Sequence, residues 1–264
     1  MKIKQYNIYK ICYNLPVIVN EDEVKIIYIC EVVVMKKLGL IGGMGPESTL
    51  LYYHDIVYKF QKEEPNGYFP ALTIETVNMY EMLGFCKNKD YSGLTEYLMK
   101  AIENAITGGA DFIALASNTP HVVFDELEKR SSVPMLSIVE PVYKAIDKLG
   151  LKKIAWLGTA FTMEEEYFKK IFIQNGIEVI IPNESERKYI DEKIAKELEF
   201  GVIKEDTKTK IDAIINRLID QEGIQGIIFG CTELPLIYKD AEFTVPCFDT
   251  MKLHIAGIVE YMLK

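Results

Sequence analysis

The chain has 264 residues, 49% of them hydrophobic and 26% charged, which is enough for one large domain or two smaller ones around a cleft and gives no reason to invoke disorder. A net charge of -9, with Lys and Arg scattered rather than clustered, argues against a nucleic-acid partner, whose phosphates need a basic face. The 5 cysteines form no CxxC pair and the 3 histidines lie far apart, so no metal site is expected, and reduced thiols point to the cytoplasm.

The apolar run from Ile26 to Val34 is broken by Glu31 and is too short to cross a bilayer. It lacks the basic start and cleavage site of a signal peptide, so no membrane partner is expected. Residues 1–34 read as an N-terminal extension whose place in the protein is open, with Met35 as the functional start. From Met35 onward, short apolar runs alternate with longer amphipathic ones, the pattern of a parallel sheet with crossover helices. Strands are expected at 37–41, 72–77, 111–116, 153–157, 178–181 and 226–229. Helices are expected at 46–60, 91–107, 141–149, 162–174, 192–200, 207–221 and 251–263. The fold class is therefore α/β, with two pseudo-symmetric parallel-sheet domains: 35–140 plus 250–264, and 141–249. Ligands of such sheets bind beyond the carboxyl ends of the strands, so the site belongs in the cleft between the halves.

Four strand ends carry small polar or flexible residues: Gly42 to Gly45, Ser117 to Thr119, Gly158-Thr159, and Cys231-Thr232. Ser117 and Cys231 sit alike, each after a buried strand and before the start of the next element, where free N–H groups favour a carboxylate. Two proton carriers facing each other across a carbon are what racemisation needs. Each feature also has a plainer reading. Cys231 is then a small apolar filler, Ser117 and Asn118 a helix cap, and His121 a packed helix residue.

The ordered set of motifs resembles the aspartate/glutamate racemases. It runs from Gly39–Thr49 (GLIGGMGPEST) through Ser117–His121 (SNTPH), Gly158-Thr159 with Thr162-Met163, and Pro182–Lys188 (PNESERK) to Gly230–Pro235 (GCTELP). The resemblance implies two α/β domains, a homodimer, and racemisation of a small acidic amino acid with neither pyridoxal phosphate nor metal. It implies Cys231 and Ser117 as the catalytic pair, where the family commonly has two cysteines. It further implies a substrate-binding set of Gly43, Met44, Gly45, Asn118, Thr119, Thr159, Lys188 and Thr232. Lys188 falls where the family pairs a basic residue with the substrate's side-chain carboxylate. The arginine of some aspartate racemases has no counterpart between Thr73 and Leu83. A cysteine beside a helix N-terminus is expected to supply thiolate near neutrality, whereas Ser117 needs help to act as a base. A decarboxylase or isomerase using one cysteine, or an amino-acid-binding paralogue without turnover, fits the same residues.

Overall fold

A computed structural model of the protein describes residues 8–20, 23–64, 66–238 and 243–264. Strands β1 (Ile8–Asn20) and β2 (Glu23–Val34) pair antiparallel from Ile8↔Val34 and join neither of the sheets that follow. The sequence reading assigned no elements to this stretch.

The first parallel sheet holds β3 (Leu38–Gly42), β4 (Leu72–Thr76), β5 (Phe112–Leu115) and β6 (Met135–Leu136), in the order β4-β3-β5-β6. The second holds β7 (Lys153–Leu157), β8 (Glu178–Ile180), β9 (Ile227–Phe229) and β10 (Cys247–Asp249), in the order β10-β9-β7-β8. In both sheets the chain lays its strands down as second, first, third, fourth. The match extends to single hydrogen bonds. Ala116 N–H donates to Ile41 carbonyl at 2.8 Å, and Gly230 N–H donates to Leu157 carbonyl at 2.7 Å. Ser117 and Cys231, the next residues, therefore occupy equivalent places at the ends of the two third strands.

Helices cover both faces of each sheet, which is why β3 and β5 are continuous apolar runs with every residue buried. In α1 (Pro46–Glu63), Pro46 presets the first turn, and Tyr52, Ile56 and Phe60 form a buried stripe at four-residue spacing. Helices α2 (Met79–Lys87) and α3 (Tyr91–Thr107) cover the other face, capped by Asn78 and Asp90. Then come α4 (Phe124–Arg130) and α5 (Val139–Lys148). The helix expected at 162–174 is two, α6 (Ala160–Glu164) and α7 (Tyr167–Gln174). The break falls at Glu165, whose backbone is extended and whose carboxylate accepts from Tyr91 Oη at 2.7 Å. The helix expected from 192 begins eight residues earlier, as α8 (Glu184–Lys196). Asn183 accepts from Glu186 N–H while the Glu186 carboxylate accepts from Asn183 N–H, a reciprocal cap that starts the helix within a polar stretch. Helices α9 (Glu205–Glu222) and α10 (Leu234–Ile237) follow. The final helix α11 (Thr250–Leu263) returns to the first sheet, where Met251, Ile255 and Ile258 pack with Tyr52 and Ile56 over Leu38 and Leu40. No helix among the described residues is long and apolar enough to cross a membrane.

Candidate active site

The carboxyl ends of the two sheets face a cavity of about 250 Å³. From the first half it is lined by Met44, Gly45, Ser117, Asn118 and Thr119, and from the second by Thr159, Cys231 and Thr232. Gly45, with φ of 122°, takes a conformation that side chains rarely adopt and turns the β3 end into α1. Ser48 Oγ lies 2.8 Å from Gly45 carbonyl and 3.2 Å from Ala116 carbonyl, so the loop is tied to the residue just before Ser117. Gly230, just before Cys231, lies so close to the Trp156 indole that any side chain would collide with it.

Two expected binding residues do not line the cavity. Gly43 lies behind the loop, its N–H taken by Thr49 Oγ1 at 2.9 Å, and shapes the turn instead. Lys188 sits in the second turn of α8, 75% exposed, with Nζ 2.6 Å from Glu184. It faces solvent because α8 begins at Glu184, which puts Lys188 four residues on along the same outer face.

His121 is turned away from the Ser117 hydroxyl. Its Nδ1 donates to the Ser117 carbonyl at 2.8 Å, and its Nε2 accepts from Ile138 N–H at 3.2 Å. Complete burial, reinforced by His254, holds it down to about 3, so it is neutral and fixes the Ser117 backbone without activating Oγ. Asn118 continues the framework. Its Nδ2 donates to Thr250 Oγ1 at 3.1 Å, and Thr250 Oγ1 donates to Phe229 carbonyl at 3.0 Å. Buried Thr250, at the start of α11, thus joins the ends of β5 and β9.

Cys231 departs from its expected thiolate character. Its Sγ is buried and donates to Glu233 Oε2 at 2.7 Å. Burial, and then the neighbouring carboxylate, push the thiol well above its ordinary range. The thiol is the resting form, with a proton acceptor in hydrogen-bond contact.

Sequence reasoning passed over several residues. Glu233 stands inside the quoted GCTELP stretch without a role assigned to it. Glu199 and Phe200, on the single-turn segment Leu198–Phe200, carry no local motif and reach the cavity only through the tertiary fold. Thr250, just before the helix expected at 251–263, carries no motif of its own. Partial burial, with Glu233 and Asp191 nearby, raises the Glu199 carboxyl above its ordinary value. Glu47, Glu199 and Glu233 all line the cavity, and among the described residues no Lys, Arg or His does. Among the described residues, no group of three or more His, Cys, Asp or Glu side chains is placed to hold a metal ion.

The model of the Asp/Glu/Hydantoin racemase family matches residues 41–258. The broad specificity amino-acid racemase RacX of Bacillus subtilis is 29% identical over 223 residues, covering 81% of this chain and 92% of that protein. A Yersinia pestis structure described as a candidate Asp/Glu racemase superposes with a TM-score of 0.81 at 33% identity, over 87% of this chain and 100% of that one. An aspartate racemase homologue from Pyrococcus horikoshii gives a TM-score of 0.77 at 36% identity, with the same coverage of both chains.

Proposed function

This chain belongs to the Asp/Glu/hydantoin racemase family, and we propose that it inverts the α-carbon of a free amino acid by proton transfer between Cys231 and Ser117, without a cofactor. The supporting observation is that the two residues end equivalent strands of the two halves and line one cavity. A substrate held between them presents opposite faces of its α-carbon to a thiol and a hydroxyl.

The difficulty is the acidity of the α-proton, because its loss leaves charge that must spread onto the α-carboxylate. Preorganised donors in a site shielded from water stabilise such charge. The hydroxyls of Thr119, Thr159 and Thr232 and the backbone at Met44-Gly45 are the groups available for this. At the Cys231 face, the thiol gives its proton to carbon in one direction. In the other direction Glu233 first takes the thiol proton, and the thiolate removes the α-proton. Ser117 has no comparable base, because His121 is committed to the backbone. It therefore serves its face as a relay. In one direction its hydroxyl gives a proton to the carbanion and regains one from solvent. In the other a solvent hydroxide takes the hydroxyl proton as the oxygen takes the α-proton, so the two directions are chemically unequal. Free-energy equality of the enantiomers still requires the ratio of forward to reverse kcat/KM to be one.

The acidic-substrate expectation came from the family resemblance, and Lys188, the residue it paired with the side-chain carboxylate, is exposed outside the cavity. The broad specificity of the Bacillus relative favours the wider class, amino acids in general.

The test is incubation with a panel of L-amino acids in heavy water, followed by NMR and chiral chromatography. The expected result is inversion with deuterium at the α-carbon, retained after exhaustive chelation and after treatment with a carbonyl-trapping reagent. Loss of the carboxyl group would identify a decarboxylase, and binding without exchange would identify a non-catalytic paralogue. Activity restored only by a metal or by pyridoxal phosphate would overturn the cofactor-free route.

A further inference from the structure

Three carboxylates in a cavity that no cation lines among the described residues make an unusual seat for an acidic side chain. Glu233 is engaged by the Cys231 thiol. Glu47 and Glu199 have no ion-pair partner among the described residues. A second observation also points to a ligand rich in N–H donors. Asn118 is only 5% exposed and lines the same cavity; its Nδ2 is held by Thr250, while its buried Oδ1 has no partner among the described residues. A buried acceptor left in this state costs free energy until a donor reaches it, and a substrate ammonium is such a donor. The remaining wall is apolar. Met79 and Leu83 come from α2, and Phe200 stands next to Glu199. Such a surface covers methylene groups while a charged head reaches a polar rim.

We propose that this cavity selects amino acids with a cationic side chain, Glu199 meeting the side-chain charge while Met79, Leu83 and Phe200 cover its methylene stem. The inference rests on the racemase reading and names its substrate class. A side-chain carboxylate in the same place would meet like charges with no counter-ion among the described residues, which is discrimination by repulsion as well as by attraction.

The test compares kcat/KM for L-lysine, L-arginine, L-methionine and L-glutamate in the unaltered enzyme, in Glu199→Gln and in Glu199→Lys. L-lysine and L-arginine should exceed L-glutamate by about tenfold or more, and Glu199→Gln should lower the lysine-to-methionine ratio by about tenfold, the loss expected for one charge-assisted contact. Glu199→Lys should raise the glutamate-to-lysine ratio. Preference of the unaltered enzyme for glutamate would overturn the proposal. So would an equal fall for lysine and methionine in Glu199→Gln, because Glu199 would then serve the α-ammonium common to both. Failure of the racemase reading looks different, since no amino acid of any class would be inverted. Calorimetric binding of L-lysine against L-glutamate to the unaltered protein decides the selectivity in that event too, tighter glutamate binding overturning it.

Discussion

A thiol that must both give a proton to carbon and take one back needs a partner that can store the proton, and Glu233 is placed for that at 2.7 Å from Cys231. Its cost is also visible, because burial and the adjacent carboxylate hold the thiol well above its ordinary range. Removing the charge in Glu233→Gln lowers the thiol's pKa, since the carboxylate is one cause of the rise. The variant should therefore be alkylated faster by iodoacetamide at about pH 8 while racemising more slowly, a split that a merely structural role would not produce. In the unaltered enzyme, rates that depend on thiolate should keep rising with pH beyond the ordinary thiol range of about 8.5, and in Glu233→Gln that limb should move to lower pH. Slower alkylation in the variant would mean that Glu233 is not the charge facing Cys231. The sequence led to Cys231 through its place after a buried strand, but its protonation could not be read there. Burial and a neighbour two residues on act in opposition to the helix-start argument, and only the geometry decides between them. Lys188 is a related case: the outward face of α8 depends on where the helix begins, and the cap at Asn183 lies in a polar stretch with no apolar periodicity to mark it.

The turn Leu198–Phe200 carries Glu199 and Phe200 to the cavity, and it is anchored from below by Glu197. This carboxylate accepts from Lys193 Nζ at 2.6 Å, Thr207 Oγ1 at 2.6 Å and Lys204 Nζ at 3.2 Å. Those bonds, the Lys193 one foremost and then Thr207, bring its pKa down to about 2. A carboxylate held below its unfolded value of about 4.3 stabilises the fold fully above that value, and its contribution is lost as pH falls toward about 2. Glu197→Gln should therefore speed hydrogen exchange at 197–204 near neutrality and remove part of the acid dependence of stability. Unchanged exchange there would show that the anchor is redundant. Elements of this kind were poorly legible in the sequence. Strands β3, β5 and β7 and helices α1 and α3 announced themselves through continuous apolar runs or regular buried stripes. The nine-residue α2, which supplies Met79 and Leu83, has little periodicity to detect, and the division between α6 and α7 arises from a tertiary hydrogen bond between Tyr91 and Glu165.

At the scale of the molecule, the repeated strand order makes one cavity from two third strands, and Thr250 ties their ends together through Asn118 and Phe229. This symmetry was legible from the order of the motifs, because each half ends a strand in glycine and a later one in a hydroxyl or thiol. The framework also contains the buried pair His121 and His254, the latter accepting from Tyr52 Oη at 2.8 Å. Burial holds the two down to about 3 and about 4. Since the unfolded chain protonates first, stability should fall as pH drops below about 6.5, by about 1.4 kcal/mol per pH unit for each histidine, and level off only near those lower values. Urea unfolding followed across that range checks the slope, and a flat profile would mean that both rings titrate normally. The opposed pair itself is tested most directly by following α-proton exchange of each enantiomer separately in heavy water, with Ser117→Ala and Cys231→Ala alongside the unaltered enzyme. Both variants should lose inversion. Ser117→Ala should retain deuterium exchange of only the enantiomer whose α-proton faces Cys231, returned with its configuration kept, and Cys231→Ala should not exchange that enantiomer. Inversion surviving in either variant would contradict the assignment of the two faces to Ser117 and Cys231.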